Sequence, residues 1–312
     1  MGRLKNKIPD SGFIFGRYRE LKTARIKVDF TISFIKKVKD VIIMKLGCGT
    51  VLFNQLDLYG ALQHIAWAGY DGAELACMSN MAQHIELNKD RAYIDEVKSI
   101  AKKHGLELFA IEAYFGTQSD EDRIKLMTQV FDIALKLNIP IVAIRSEGKT
   151  GDKEATKQAF DYIKKLCERA ESRGITLAVK PHVGHSFYNT STLIQLLEGI
   201  DSPALGINFD SSNLYRAGDD PSEAVLRLGR KIVHTHIREC DDRAQPRTPV
   251  ELQIPGRGKL DWPKILHCLQ DVGYDGVLDT QVIGAYTCPL SRQMGIAAEA
   301  RGYLNKCLQE LK

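Results

Sequence analysis

Along residues 45–310, short apolar runs alternate with longer stretches of helical period. The apolar runs are brief and continuous, the pattern of strands buried on both faces of a parallel sheet. They predict strands at Lys45–Cys48, Ala73–Ala76, Leu106–Ala110, Ile141–Ile144, Thr176–Val179, Leu205–Phe209, Ile232–His236 and Val277–Thr280. Between them, the spacing of apolar positions predicts helices at Leu56–Ala68, Arg91–Lys103, Asp120–Lys136, Lys153–Arg173, Thr190–Glu198, Ser222–Leu228, Trp262–Val272 and Leu290–Glu310. Glycine closes several of these helices just before the next strand, at His104-Gly105, Arg173-Gly174 and Val272-Gly273. That is C-terminal capping chemistry. Eight strands alternating with eight helices predict an α/β fold, a (β/α)8 TIM barrel spanning residues 44–312, rather than an open doubly wound sheet.

Four of the strands run into polar clusters: Lys180-Pro181-His182, Asp210-Ser211-Ser212-Asn213, His234-Thr235-His236-Ile237-Arg238 and Asp279-Thr280-Gln281. Parallel barrel strands all point one way, so these clusters are expected at one mouth, where barrel sites are built. Asp210 and His236 pair a carboxylate with an imidazole, a common divalent-metal half-site. Asp-Ser-Ser-Asn is also helix-capping chemistry. His234 and His236 share a face, and His236, nearer the strand's end, is expected to be the inner contact. A lysine ending a buried strand is costly unless paired or reactive. Three roles are open for Lys180: an ion pair with Asp210, fixed positive charge for a developing enolate, or a base of lowered pKa. His182 is expected to touch substrate, and His185 to be a loop residue. Gln281 binds a hydroxyl or weakly ligates a metal, but is no base. Glu74 and Glu112, expected to end the second and third strands, are either missing carboxylates of the site or satisfied structural partners. Arg257, in the Gly-rich stretch Ile254–Lys259, is a candidate for an anionic substrate group or part of a tight surface turn. Arg145 and Arg216 are further cationic candidates.

Charge is unevenly placed. Residues 1–43 hold eleven Lys/Arg against four acids, while the remaining 269 residues hold 32 basic and 35 acidic groups. The overall +4 therefore comes from a basic N-terminal extension, expected to lie outside the barrel. The barrel itself carries −3 and has no general attraction for nucleic acid. No stretch is long and apolar enough to span a bilayer. Phe30–Ile35 is apolar but short, and Lys36-Lys37 interrupts it. Seven scattered cysteines without a CxxC pair suggest reduced thiols and a cytoplasmic setting. Cys48, Cys77 and Cys167 are expected in the core, and Cys240 in a structural role near the site. Gly47-Cys48-Gly49 after the first strand lacks the third glycine of a dinucleotide loop, so no nucleotide cofactor is expected.

In Gly69–Leu75, Leu177–His182, Gly206–Asp210 with Ala217–Pro221, His234–Arg238, Pro255–Trp262 and Gly273–Gly276, the chain resembles the xylose isomerase-like TIM barrel superfamily, which includes sugar phosphate isomerases and epimerases and relatives of endonuclease IV. The resemblance covers roughly residues 45–310. It implies a divalent metal (Mn, Mg, Zn or Co) held by Glu, Asp, His and Glu from the fifth to eighth strands. Those positions fall here on Lys180, Asp210, His236 and Gln281. Two carboxylates are absent, and a family histidine shortly after the aspartate is replaced by Asn213. The two glutamates are also the acid/base pair of the epimerases. Divalent affinity is therefore expected to fall steeply, leaving at most a weak site at Asp210, His236 and Gln281.

Three readings stand at this point. Lys180 replaces the metal and stabilises an enediolate. Alternatively a metal binds weakly, with His182 or Glu112 completing its shell, or isomerase chemistry has been lost. The leading expectation is an isomerase or epimerase acting through an enediolate on a small sugar or polyol-derived ketone. Lys180, Asp210, His236 and Gln281 would be its catalytic group, with Glu74, Glu112, His182, Asn213, His234 and Arg257 as substrate contacts. A lyase or dehydratase of the same superfamily and a non-catalytic sugar-binding or subunit protein are the alternatives. The expected partner is a small molecule, with no nucleic acid and no membrane; self-association is left open.

Overall fold

The computed structural model describes residues 44–79, 81–116, 119–243 and 248–311, so the expectation for residues 1–43 lies outside the described residues. The strands are β1 (Lys45–Gly49), β2 (Gly72–Met78), β3 (Ala82–Gln83), β4 (Glu107–Tyr114), β5 (Ile141–Arg145), β6 (Thr176–Lys180), β7 (Leu205–Asp210), β8 (Ile232–Ile237) and β9 (Val277–Thr280). Eight of them pair in parallel around a ring, and β1 closes it by pairing with both β2 and β9. The short β3 adds antiparallel to the end of β2. This is the expected closed (β/α)8 barrel.

The helices are α1 (Leu58–Trp67), α2 (Arg91–Lys103), α3 (Asp120–Leu137), α4 (Lys153–Glu171), α5 (Thr190–Gly199), α6 (Ser211–Arg216), α7 (Pro221–Leu228), α8 (Trp262–Asp271) and α9 (Leu290–Glu310). Most begin at an Asp, Ser or Asn whose side chain accepts a first-turn N–H; Asp57, Asp90, Asp152 and Asp261 are examples. The glycines expected to end helices, Gly105, Gly174 and Gly273, have φ of +68°, +65° and +81°. Only glycine enters that region freely. Helix α6, not among the predicted helices, is the short turn that the capping chemistry of Asp-Ser-Ser-Asn allowed, started by Asp210 at the end of β7.

Two strands run further than their apolar pattern predicts. β2 continues to Met78 and β4 to Tyr114, and the two ends pair with each other. Glu74 and Glu112 therefore lie inside strands rather than at their ends, which corrects the expected placement. A carboxylate reads as a boundary because burying it alone is costly. Here both are buried and both have cationic or imidazole partners.

All seven cysteines are unpaired, and all but Cys288 are buried. No helix among the described residues is long and apolar enough to cross a membrane.

The segment after β8 hangs on one side chain that the pattern did not flag. Glu239 is fully buried. Its carboxylate accepts from the backbone N–H of Cys240 (2.9 Å), Gly256 (3.1 Å) and Leu260 (3.1 Å) and from Trp262 Nε1 (2.8 Å). An orphaned buried donor costs about 1–3 kcal/mol. Glu239→Ala is expected to lower stability by at least about 3 kcal/mol in urea unfolding; a loss below about 1 kcal/mol would show that the loop finds other acceptors.

Candidate active site

The mouth of the barrel opens into a cavity of about 370 Å³. Its floor carries three side chains from three strands. Lys180, the last residue of β6, donates to Glu112 Oε1 at 2.5 Å and to Gln281 Oε1 at 3.3 Å. Gln281, just past β9, donates from Nε2 to the other carboxylate oxygen of Glu112 at 2.7 Å. Lys180, Glu112 and Gln281 are buried yet line the cavity. The partner of Lys180 is thus Glu112, not the Asp210 considered from sequence.

Asp210 is held apart from this group. Its Oδ1 accepts from Ser212 Oγ (2.8 Å) and from the backbone N–H of Asn213 (2.9 Å). Its Oδ2 accepts from Asn213 Nδ2 (2.8 Å) and Arg238 Nη2 (3.1 Å). Burial alone would raise its pKa. The Arg238 guanidinium, the charges of Lys180 and His236, and the Asn213 N–H outweigh that and hold it well below the usual carboxylate range. Asp210 therefore works as the cap of α6 and the anchor of Arg238, with every lone pair engaged. Asn213 is one of its donors and also lines the cavity.

His236 points to a third group, deeper in the barrel. His236 Nε2 meets Glu74 Oε2 at 2.9 Å, and His234 Nε2 meets Glu74 Oε1 at 3.0 Å. Asn208 Nδ2 lies 3.2 Å from His236 Nε2. Asp279 completes the group: Glu74, His234, His236 and Asp279 each offer one ligand atom, and these all lie within 4.8 Å of one another. Two imidazoles and two carboxylates in that space form a donor set that could hold a metal ion. Burial pushes the Asp279 carboxyl far above its ordinary range, and the negative charges of Glu74 and Glu112 add to this. Glu74 is driven the other way: burial opposes ionisation, but the imidazoles of His236 and His234 prevail.

The four residues at the family's metal positions are therefore split. Lys180 and Gln281 sit with Glu112, Asp210 with Arg238, and His236 with Glu74. An ammonium within hydrogen-bond reach of Gln281 and a fully engaged Asp210 do not fit a divalent ion at those positions.

Of the remaining candidates, His182 lines the cavity, whereas His234 lies below it and Arg257 lies away from it. Arg257 forms ion pairs with Glu251 and Glu299 and is about one-third exposed. The cations at the cavity are instead Lys180, Arg145, Arg216 and Arg238. The Arg145 guanidinium stacks 3.6 Å above the Tyr114 ring. Asp279 and Glu112 were the residues sequence reasoning undervalued. The two-residue period of a strand would have placed Asp279 on the same face as Gln281, one step further in.

Burial, with the charges of His185, Lys180 and Arg145, pushes the His182 pKa down to about 4. A histidine in the unfolded chain titrates near 6.5. The unfolded state therefore binds the proton first, and this share of stability is complete above pH 6.5 and is lost as pH falls towards 4. Unfolding free energies measured across that window should fall less steeply for His182→Gln, with a difference on the order of 2 kcal/mol. Equal slopes for the two proteins would show that His182 is as solvated in the fold as outside it.

Comparison with known proteins fits this architecture. Residues 62–307 match the family described as xylose isomerase-like TIM barrel. An uncharacterised protein of Methanocaldococcus jannaschii is 26% identical over 269 residues, covering 79% of this chain and 86% of that one. The inosose isomerase of Halalkalibacterium halodurans is 22% identical, with 79% and 90% covered, and the inosose dehydratase of Clostridium perfringens strain 13 is 19% identical, with 78% and 88% covered. Among solved structures, a xylose isomerase domain protein from Alicyclobacillus acidocaldarius superimposes with a TM-score of 0.72 at 18% identity, over 86% of this chain and 99% of that one.

Proposed function

Since this chain belongs to the xylose isomerase-like TIM barrel family, we propose that it isomerises a small polyhydroxy ketone by moving a proton next to the carbonyl. The observation that carries the reading is the Lys180–Glu112–Gln281 group on the cavity floor.

Glu112 is the one carboxylate among the described residues lining the cavity. It is the base in this reading. Its carboxylate takes the proton from the carbon beside the carbonyl and becomes neutral, and the negative charge moves to the carbonyl oxygen. The Lys180 ammonium holds that oxygen as charge develops, so the positive charge is already in place when it is needed. Gln281 fixes the second Glu112 oxygen and offers its amide to a hydroxyl. The proton, partly exchanged with solvent while it is on Glu112, then goes to the former carbonyl carbon on the same face of the enediol, while the neighbouring hydroxyl proton passes to the former carbonyl oxygen by way of the Lys180 ammonium, so the carbonyl moves one carbon along. A single base serves this transfer, whereas epimerisation needs a second acid on the opposite face. That difference favours isomerisation between adjacent carbons. The guanidinium groups of Arg145, Arg216 and Arg238 around the cavity favour an electron-rich substrate. The relative named an inosose isomerase supports a cyclic or open-chain polyol ketone.

Incubating the full chain with a panel of such ketones in heavy water tests this by NMR. The expected result is solvent deuterium at the carbon beside the carbonyl together with an isomeric product. Glu112→Gln and Lys180→Met should each lower kcat by about 100-fold or more. A dehydrated product would move the reading to a lyase. The proposal fails if no ketone exchanges its proton or if Glu112→Gln keeps the full rate.

A further inference from the structure

We infer that the interior of the barrel holds a divalent first-row transition metal on Glu74, His234, His236 and Asp279, one layer beneath the cavity, sharing only His236 with the family's usual metal positions. This rests on geometry alone and stands whether or not the proposed isomerisation is correct.

Asp279 is the first ground. It is fully buried, and neither of its carboxylate oxygens has a hydrogen-bond partner. A buried carboxyl whose oxygens meet no partner is costly whether ionised or protonated. The other three members already converge on that space: Glu74 bridges the two imidazoles through its two oxygens. A cation there would meet the lone pairs of Asp279 and join the four donors.

The second ground is room. β1 contributes two glycines on this side of the group, Gly47 and Gly49. A Cβ at position 49 would lie 3.5 Å from Asp279 Oδ2 and 3.6 Å from Glu74 Oε2; one at position 47 would lie 2.7 Å from Asp279 Oδ1. Gly47 and Gly49, in a stretch that makes no dinucleotide loop, thus leave the space beside both carboxylates free of their own side chains.

Donor chemistry sets the class of ion. Two imidazole nitrogens with two carboxylates suit zinc, manganese, iron or cobalt, not calcium or magnesium, which prefer all-oxygen shells. A tetrahedral ion binds at about 2.0–2.2 Å, so its ligand atoms stand roughly 3.3–3.6 Å apart. The present spread of up to 4.8 Å asks the group to close by about an ångström. None of the four residues lines the cavity, and Lys180, Glu112 and Gln281 form its floor. The ion is therefore predicted to be enclosed and slow to exchange, a part of the barrel core that does not reach substrate.

The full chain, stripped of metal by unfolding in chelator and refolded, is offered zinc, manganese or cobalt, then desalted and assayed by elemental analysis and thermal melting. One equivalent retained per chain is expected, with a rise in Tm on loading. Asp279→Asn and His234→Gln should each weaken binding by at least about 100-fold and abolish the Tm rise. Asp210→Asn, at a family metal position, should leave binding intact. Stripped Asp279→Asn should melt no lower than the stripped parent, because it removes an unpaired carboxylate; this guards against reading a misfolded variant as a lost ligand. The inference is overturned if the stripped chain takes up none of the three ions, if uptake survives in Asp279→Asn combined with His234→Gln, or if Asp210→Asn is the change that removes it.

Discussion

The buried ion pair between Lys180 and Glu112 governs the mouth of this barrel. The two groups touch at 2.5 Å and each is less than a tenth exposed. Desolvating an ammonium and a carboxylate costs several kcal/mol apiece, and only close mutual contact with further hydrogen bonds recovers it. Gln281 supplies those bonds to both partners. Everything else at the mouth accommodates this choice. A lysine where the family resemblance places a glutamate rules out a dication beside it. Glu112 is then committed to compensating the lysine, and Asp210 is free to take Arg238 and cap α6.

The alternation of side chains along each strand converts that choice into layers. Gln281 and Asp279 are two apart on one face, as are His236 and His234, so a step of two residues moves a side chain roughly 6–7 Å along the barrel axis. The upper layer is cationic and open to the cavity. The layer below holds two carboxylates and two imidazoles with no lysine or arginine among them. The register of β7, β8 and β9, which sets Asp210 beside His236 and His236 beside Asp279, makes His236 the hinge between them. Its imidazole, which could serve either group, turns down to Glu74.

Much of this was legible in the order of residues because it depends on period. Continuous apolar runs and capping glycines located all eight barrel strands, and the chain direction then placed Lys180, Gln281 and His182 at one mouth. What was not legible depends on depth. Glu74 and Glu112 look like strand ends because a lone charge breaks an apolar run, yet β2 and β4 carry both inside. Whether a carboxylate may sit within a strand is decided by its neighbours across the barrel, and those neighbours lie up to 169 positions away, as Gln281 does from Glu112. For Arg257 the Gly-rich stretch left an anion contact and a tight surface turn equally open, and in the structure Glu251 and Glu299 pair with its guanidinium at the surface.

The distribution of charge then bears on what kind of chemistry the fold has kept. A dication holds a substrate by two oxygens and lowers the pKa of both; a single ammonium holds one oxygen and stabilises charge only where it lies. In the proposed reaction, with Lys180 the one cation on the floor among the described residues, the bond-making events stay within reach of one ammonium and one carboxylate. That confines proton movement to adjacent carbons on one face of the substrate, and hands recognition of the rest to the arginines on the walls. In the proposed reading, departure from the family's metal positions narrows the reaction and leaves recognition of a polyol ketone to the cavity walls. The residues that narrow it, Lys180 and Gln281, are the two that interrupt the family pattern.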